Sequence, residues 1–152
     1  MVRCCTGSRR TVVGAPIELR AVLPPPPSIN ATYRSGRGVW YKSVRARAWE
    51  EEALLLLRAA GFQAQPLGSY WIGVELTLWT CRLDLDAPIK LVLDTVEEAL
   101  GINDRWVGRL TVTKLLADHL ADQRLELRCE ARSIAGKQDF NALSERTGLA
   151  SS

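Results

Sequence analysis

The segment Arg82-Leu-Asp-Leu-Asp-Ala-Pro-Ile-Lys90 holds the residues best suited to chemistry. Residues two apart in an extended chain share a face, so Asp84 and Asp86 project together. Paired carboxylates repel unless a cation or a proton sits between them. Hard cations such as Mg²⁺ take oxygen ligands, and one or two carboxylates often suffice beside water and substrate phosphate. A third acid, Asp104, follows after one helical excursion. To meet the first pair it must start a neighbouring strand that returns to the same edge. Lys90 lies one helical turn beyond Asp86, where a cation could touch a phosphate or stabilise a departing oxygen. Two plainer readings compete. Asp86 can be a helix cap with Asp84 a solvated acid, and Lys90 can pair with Asp94 at i,i+4.

The elements that position these groups follow from periodicity. Ile17, Leu19, Ala21 and Leu23 alternate with Glu18 and Arg20, which predicts a strand. Pro24 to Pro27 must end it, because none can donate to a ladder. Ser28 to Gly38 reads as a polar, basic loop. Ser43 suits an N-cap, with Val44, Trp49, Ala53, Leu56, Leu57 and Ala60 forming the apolar stripe of a helix that Gly61 stops. Tyr70 to Cys81 alternates again, with Ile72, Val74, Leu76 and Leu78 on one face and Trp71, Glu75, Thr77 and Trp79 on the other. A second helix is expected after an Asp86 cap and Pro88, buried through Ile89, Val92, Leu93, Val96 and Leu100 and ended by Gly101. Trp106 to Leu116 and Arg124 to Arg132 read as strands joined by a turn, and that short link suggests antiparallel pairing. The result is α+β, a small mixed or antiparallel sheet with two main helices in the order β-α-β-α-β-β. Residues 1–16 read as a flexible leader, 17–132 as the folded domain and 133–152 as a polar tail without regular structure.

Composition excludes little. The formal charge of +3 permits a polyanionic partner without demanding one. Distribution says more: Arg34, Arg37, Lys42, Arg45 and Arg47 crowd the first third, and acids gather from Glu75 to Asp104. Cys4, Cys5, Cys81 and Cys129 match no zinc spacing and read as free thiols of a reducing cytoplasm. Neither a signal peptide nor a membrane span is expected, as no apolar run has the necessary length. His119 reads as an exposed turn residue and Glu75 as an outward charge, with a fourth-acid role as the alternative. Trp40 and Tyr41 could stack on bases or pack on the helix that follows.

Taken together, Leu23-Pro-Pro-Pro-Pro-Ser-Ile-Asn30, the loop at Tyr33 and Arg34, the helix from Ser43, Asp84-x-Asp86-x-x-x-Lys90-x-x-x-Asp94 and Asn103-Asp104 resemble the RusA family of Holliday-junction resolvases. The resemblance spans about residues 17 to 131. It implies a RusA-like fold and a homodimer, commonly of phage or prophage origin. It also implies paired incision of four-way DNA junctions with Mg²⁺ or Mn²⁺. The family's essential aspartates fall on Asp84, Asp86 and Asp104, and its lysine on Lys90. Asn30, Arg34, Arg37, Lys42 and Arg45 are the candidate DNA contacts. One departure is Ala87, where the family usually has Asn. A catalytically impaired relative that still binds branched DNA is the alternative. A structural protein whose acids are caps and surface charges is the third.

Overall fold

The computed structural model describes residues 15–82, 84 and 88–146. Its main sheet contains β1 (Ile17–Leu23), β4 (Ser69–Thr80), β5 (Val107–Leu116) and β6 (Arg124–Ile134) in the order β1-β6-β4-β5. A hairpin of β2 (Tyr33–Gly36) and β3 (Val39–Lys42) stands apart from it. The helices are α1 (Ile29–Thr32), α2 (Val44–Ala59), α3 (Ile89–Leu100) and α4 (Lys137–Arg146). The architecture is α+β with a mixed sheet, as the periodicity implies. β6 runs antiparallel to both β1 and β4, whereas β4 and β5 are parallel, joined through α3.

One sheet face forms the core. Ile72, Val74, Leu76 and Leu78 of β4 and Leu125, Leu127 and Cys129 of β6 are buried there with Leu23 of β1. Above them lie Trp49, Ala53 and Leu57 of α2 and Leu91, Val92, Val96 and Leu100 of α3. The α2 stripe is rotated from the expected one. Ala46 and Leu54 are buried, while Val44, Leu56 and Ala60 are exposed. Ser43 does cap α2: its hydroxyl accepts from Ala46 N–H at 3.1 Å and donates to the Ala31 carbonyl. Trp49 donates to the Pro24 carbonyl at 3.0 Å, so the proline run is pinned to the helix rather than left loose.

Further expectations need correction. The loop of 28–38 contains α1, β2 and the hairpin turn. Arg37 and Gly38 take φ of 50° and 76°, the pattern of a two-residue type I′ turn, usually signalled by Asn-Gly. The two last strands are not neighbours, because β4 lies between them. Their link crosses the end of β4, where Ala117 N–H donates to the Thr80 carbonyl at 3.2 Å. The tail is partly helical: α4 packs on the β4 and β5 part of the sheet face opposite the core. There Trp71, 1% exposed, donates its indole N–H to Ser144 Oγ at 3.0 Å, and Trp106 meets Phe140 at 6.2 Å between centroids. The N-cap of α3 is Pro88, without a side-chain cap bond, and not the expected Asp86, which itself lies outside the described residues. The remaining leader and tail, 1–14 and 147–152, also lie outside them.

Gly108 makes that second layer tight. A Cβ built there would fall 2.1 Å from Trp71 Nε1 and 2.8 Å from Ser144 Oγ. Gly108→Ala should therefore displace the indole or α4 and cost about 1–3 kcal/mol. A urea midpoint equal to that of the wild-type protein would show that α4 does not rest on this contact.

Candidate metal centre and the basic hairpin beside it

Among the described residues, one group of three acids converges: Asp94, Glu97 and Asp104 each offer an oxygen within 4.8 Å of the others. The local sequence explains the meeting. Asp94 and Glu97 are three apart on α3 and share a face. Gly101 closes α3 in the left-handed region at φ 63°, which lets the chain reverse at once and bury Ile102. Asn103 then holds the return. Its side chain accepts from Arg105 N–H at 3.0 Å and donates to Glu97 at 3.4 Å. Asp104 opens a short 3₁₀ turn immediately before β5.

Two lysines brace the group. Lys90, in the first turn of α3, donates to Asp94 at 3.1 Å, with its own side chain 71% exposed. Its pKa is raised above 10.5 by the hydrogen bond to Asp94, then by that carboxylate's charge, with Asp104 adding a smaller push. Lys42 ends β3 and bonds Glu50 of α2, with Asp94 3.9 Å away. Burial alone would lower its pKa, but the hydrogen bond and charge of Glu50 and the charge of Asp94 more than reverse this, and the net direction is up. Four carboxylates (Glu50, Asp94, Glu97, Asp104) face two ammonium groups, leaving two negative charges in the cluster.

The expected site residues divide. Asp104 and Lys90 lie in or beside the cluster. Asp84 is exposed beyond β4 and stands outside the group, and Asp86 lies outside the described residues. Parallel pairing explains the separation of Asp84 from Asp104. Val107 pairs with Ile72 and Leu116 with Thr80, so the two acids flank opposite ends of the strand pair. That paired stretch spans roughly 25 Å at about 3.3 Å per residue. In the sequence Asp94 stands out as a partner for Lys90 and as the last member of the Asp84-x-Asp86-x-x-x-Lys90-x-x-x-Asp94 series, while nothing singles out Glu97 or Glu50 beyond local spacing. The Asp94-x-x-Glu97 spacing was the available signal.

The hairpin stands on Lys42. Asn30, Arg34, Arg37 and Arg45 are exposed, and none of these arginines is ion-paired among the described residues. Lys42 differs from them, since its ammonium is already engaged by two carboxylates. A groove of about 740 Å³ is lined by Asn30, Tyr33, Arg34, Ser35 and Trp40, and a second by Arg34, Tyr41, Val44 and Arg45. Arg45 also lines a third with Arg82 and Gln123, so shared arginines link the three concavities.

Other candidates are absorbed by the fold. Glu75 lies on the outer sheet face, 3.6 Å from Arg109 and 3.5 Å from Arg128, as an outward charge. His119 is exposed in the β5–β6 link. Cys129 is buried, and burial first and Glu130 second push its thiol up to about 12, so it stays protonated. No helix among the described residues is long and apolar enough to cross a membrane. No known family model matches the chain, and no curated protein matches it.

Lys42 is the cation that keeps Glu50 and Asp94, both largely shielded, from facing each other bare. Lys42→Met should lower the stability of the free protein by about 1–2 kcal/mol. The lysine's contribution is complete below its unfolded pKa of 10.5 and fades as pH rises through the higher folded value. Urea titrations at pH 7 and pH 11 check both points. A variant as stable as the parent would assign Lys42 to ligand contact alone.

Proposed function

We propose that this chain is a divalent-metal-dependent endonuclease acting on branched DNA, in the manner of RusA-type Holliday-junction resolvases. The observation that carries the reading is the convergence of Asp94, Glu97 and Asp104 beside Lys90, below a hairpin whose arginines are unpaired among the described residues. Three carboxylates with a residual charge of two suit a hard divalent ion. Mg²⁺ or Mn²⁺, when bound, would supply an activated water and charge neutralisation at a phosphate.

In this reading Asp94, Glu97 and Asp104 hold the ion. Lys90, its side chain largely exposed while its ammonium bonds Asp94, would approach the phosphate undergoing cleavage and offset charge on the departing oxygen. Lys42 and Glu50 are positioning residues that hold Asp94 against the hairpin. Arg34, Arg37 and Arg45 bind strand phosphates at the exposed face. The resemblance implies Asp84 and Asp86 as ligands, but the separation of Asp84 from Asp104 keeps Asp84 out of a centre built on α3. It also implies a homodimer that presents two centres to symmetric strands. The second reading is a relative that binds junctions without cutting them. Ala87 in place of an amide favours it. The separation of Asp84 from Asp104 instead favours the third reading, a structural protein whose acids are surface charges.

A synthetic four-way junction distinguishes the two. The proposed enzyme nicks it in Mg²⁺ or Mn²⁺ and not in chelator. Asp104→Asn should reduce cleavage by more than the roughly 10–100-fold that loss of an outer-shell partner costs, with junction affinity largely kept. Asp84→Asn should match it if the resemblance assigns the ligands correctly, and should cut normally if the α3 acids suffice. Junction binding without product in either metal favours the binding-only relative.

Phosphate contacts also predict a salt signature. Replacing Arg34 and Arg45 by Ala should flatten the slope of log affinity against log salt by about two. An unchanged slope would remove these arginines from the interface.

A further inference from the structure

Trp40 is 73% exposed, and the structure gives it no ring or cation partner among the described residues. The other four tryptophans are engaged. Trp49 and Trp71 are 6% and 1% exposed, Trp79 lies under Arg124 at 4.5 Å, and Trp106 meets Arg105 at 5.1 Å. Neighbouring Tyr41 lies close over Gly36, where an added Cβ would come within 3.2 Å of its ring. Trp40 instead pairs across the hairpin with Ser35, too small to cover an indole.

Register places this free ring relative to the acids. Tyr33, Ser35, Trp40 and Lys42 share one hairpin face, because Tyr33 opposes Lys42 and Ser35 opposes Trp40. Lys42 on that face bonds the Glu50 carboxylate and approaches Asp94. Trp40 thus stands two residues, about 7 Å of strand, outward from the lysine that touches the acid cluster. Its groove also holds Arg34, a cation for a flanking phosphate, and Asn30, an amide able to meet a base edge.

We propose that Trp40 is a stacking platform for an unpaired nucleobase next to the cleaved phosphate. Stacking needs an open π-face, which bases inside a duplex do not present. A branch point, where pairs open cheaply, does present one. The platform therefore selects branched and single-stranded DNA over plain duplex, whereas the arginines bind all three through phosphate. The unpaired rim of Arg34 and Arg37 fits a polyanion rather than an apolar protein partner.

This inference rests on the nucleic-acid reading above, and the test separates the two. Full-length protein is titrated in chelator with a four-way junction, a single-stranded oligonucleotide and a perfect duplex, read by anisotropy and by tryptophan emission. Wild-type emission should be quenched by junction and single strand. Trp40→Ala, exposed and so not expected to disturb folding, should lose that quenching and about tenfold or more in affinity for both, with duplex affinity nearly unchanged. Trp40→Phe should recover most of the loss. Trp40→Ala binding every DNA as well as wild type does, with quenching intact, overturns the platform and leaves the nuclease reading standing. Failure of wild type to bind any of the three overturns both.

Discussion

A partly buried lysine must find carboxylates for its ammonium, and carboxylates crowded together must find a cation. Lys42 meets both demands at once. It ends β3, bonds Glu50 on α2 and lies 3.9 Å from Asp94 on α3. Three elements distant in sequence are tied at one charge. The hairpin has no place in the main sheet. Ser43 supplies the second anchor, since it caps α2 and also bonds the Ala31 carbonyl just before the hairpin. A ribbon outside the main sheet needs ties to the body of the protein to keep a fixed place beside the acids, and these two anchors supply them.

The crossover β4-α3-β5 imposes the other constraint. A helix that returns the chain to a parallel neighbour must deliver β5 to the level at which β4 began. Asp104, at that delivery point, meets acids in the later part of α3 and not the acid that follows β4. The left-handed Gly101 and the bonds of Asn103 shorten the return, so Asp104 lies against Glu97. The i,i+3 spacing of Asp94 and Glu97 and the turn after α3 are local features. They make an acid triad from one continuous stretch of chain.

Much of this was legible in the residues. Alternation in Ile17–Leu23 and in Ile72–Leu78 gave the strands and their inner faces, and Ser43 and Gly101 gave helix ends. What escaped has physical reasons. Arg37-Gly38 is an uncommon spelling of a type I′ turn, so β2 and β3 read as loop. α4 carries too few apolar residues for a periodic signal; its site is set by Trp71 on the outer face of β4. The position of β6 between β1 and β4 depends on non-local pairing, which a short link does not dictate. The triad was half visible. Asp104 and Asp94 stood out, but Glu97 offered only its three-residue spacing from Asp94 until the α3 return brings Asp104 against it.

Cation supply also distinguishes the hairpin end of the molecule, where metal and nucleic acid are proposed to bind, from the outer sheet face. On the outer sheet face, Arg109, Arg128 and Arg132 are matched by Glu18, Glu75 and Glu130, so most of its cations are already neutralised. At the hairpin the arginines lack such partners among the described residues, while the acids below are incompletely neutralised by lysine. A strand drawn in by Arg34 and Arg45 would meet a repulsive cluster unless a divalent ion sits between phosphate and carboxylates. Metal and nucleic acid would then bind cooperatively at this end, each lowering the electrostatic cost of the other, and a ring at Trp40 would act on a strand already held.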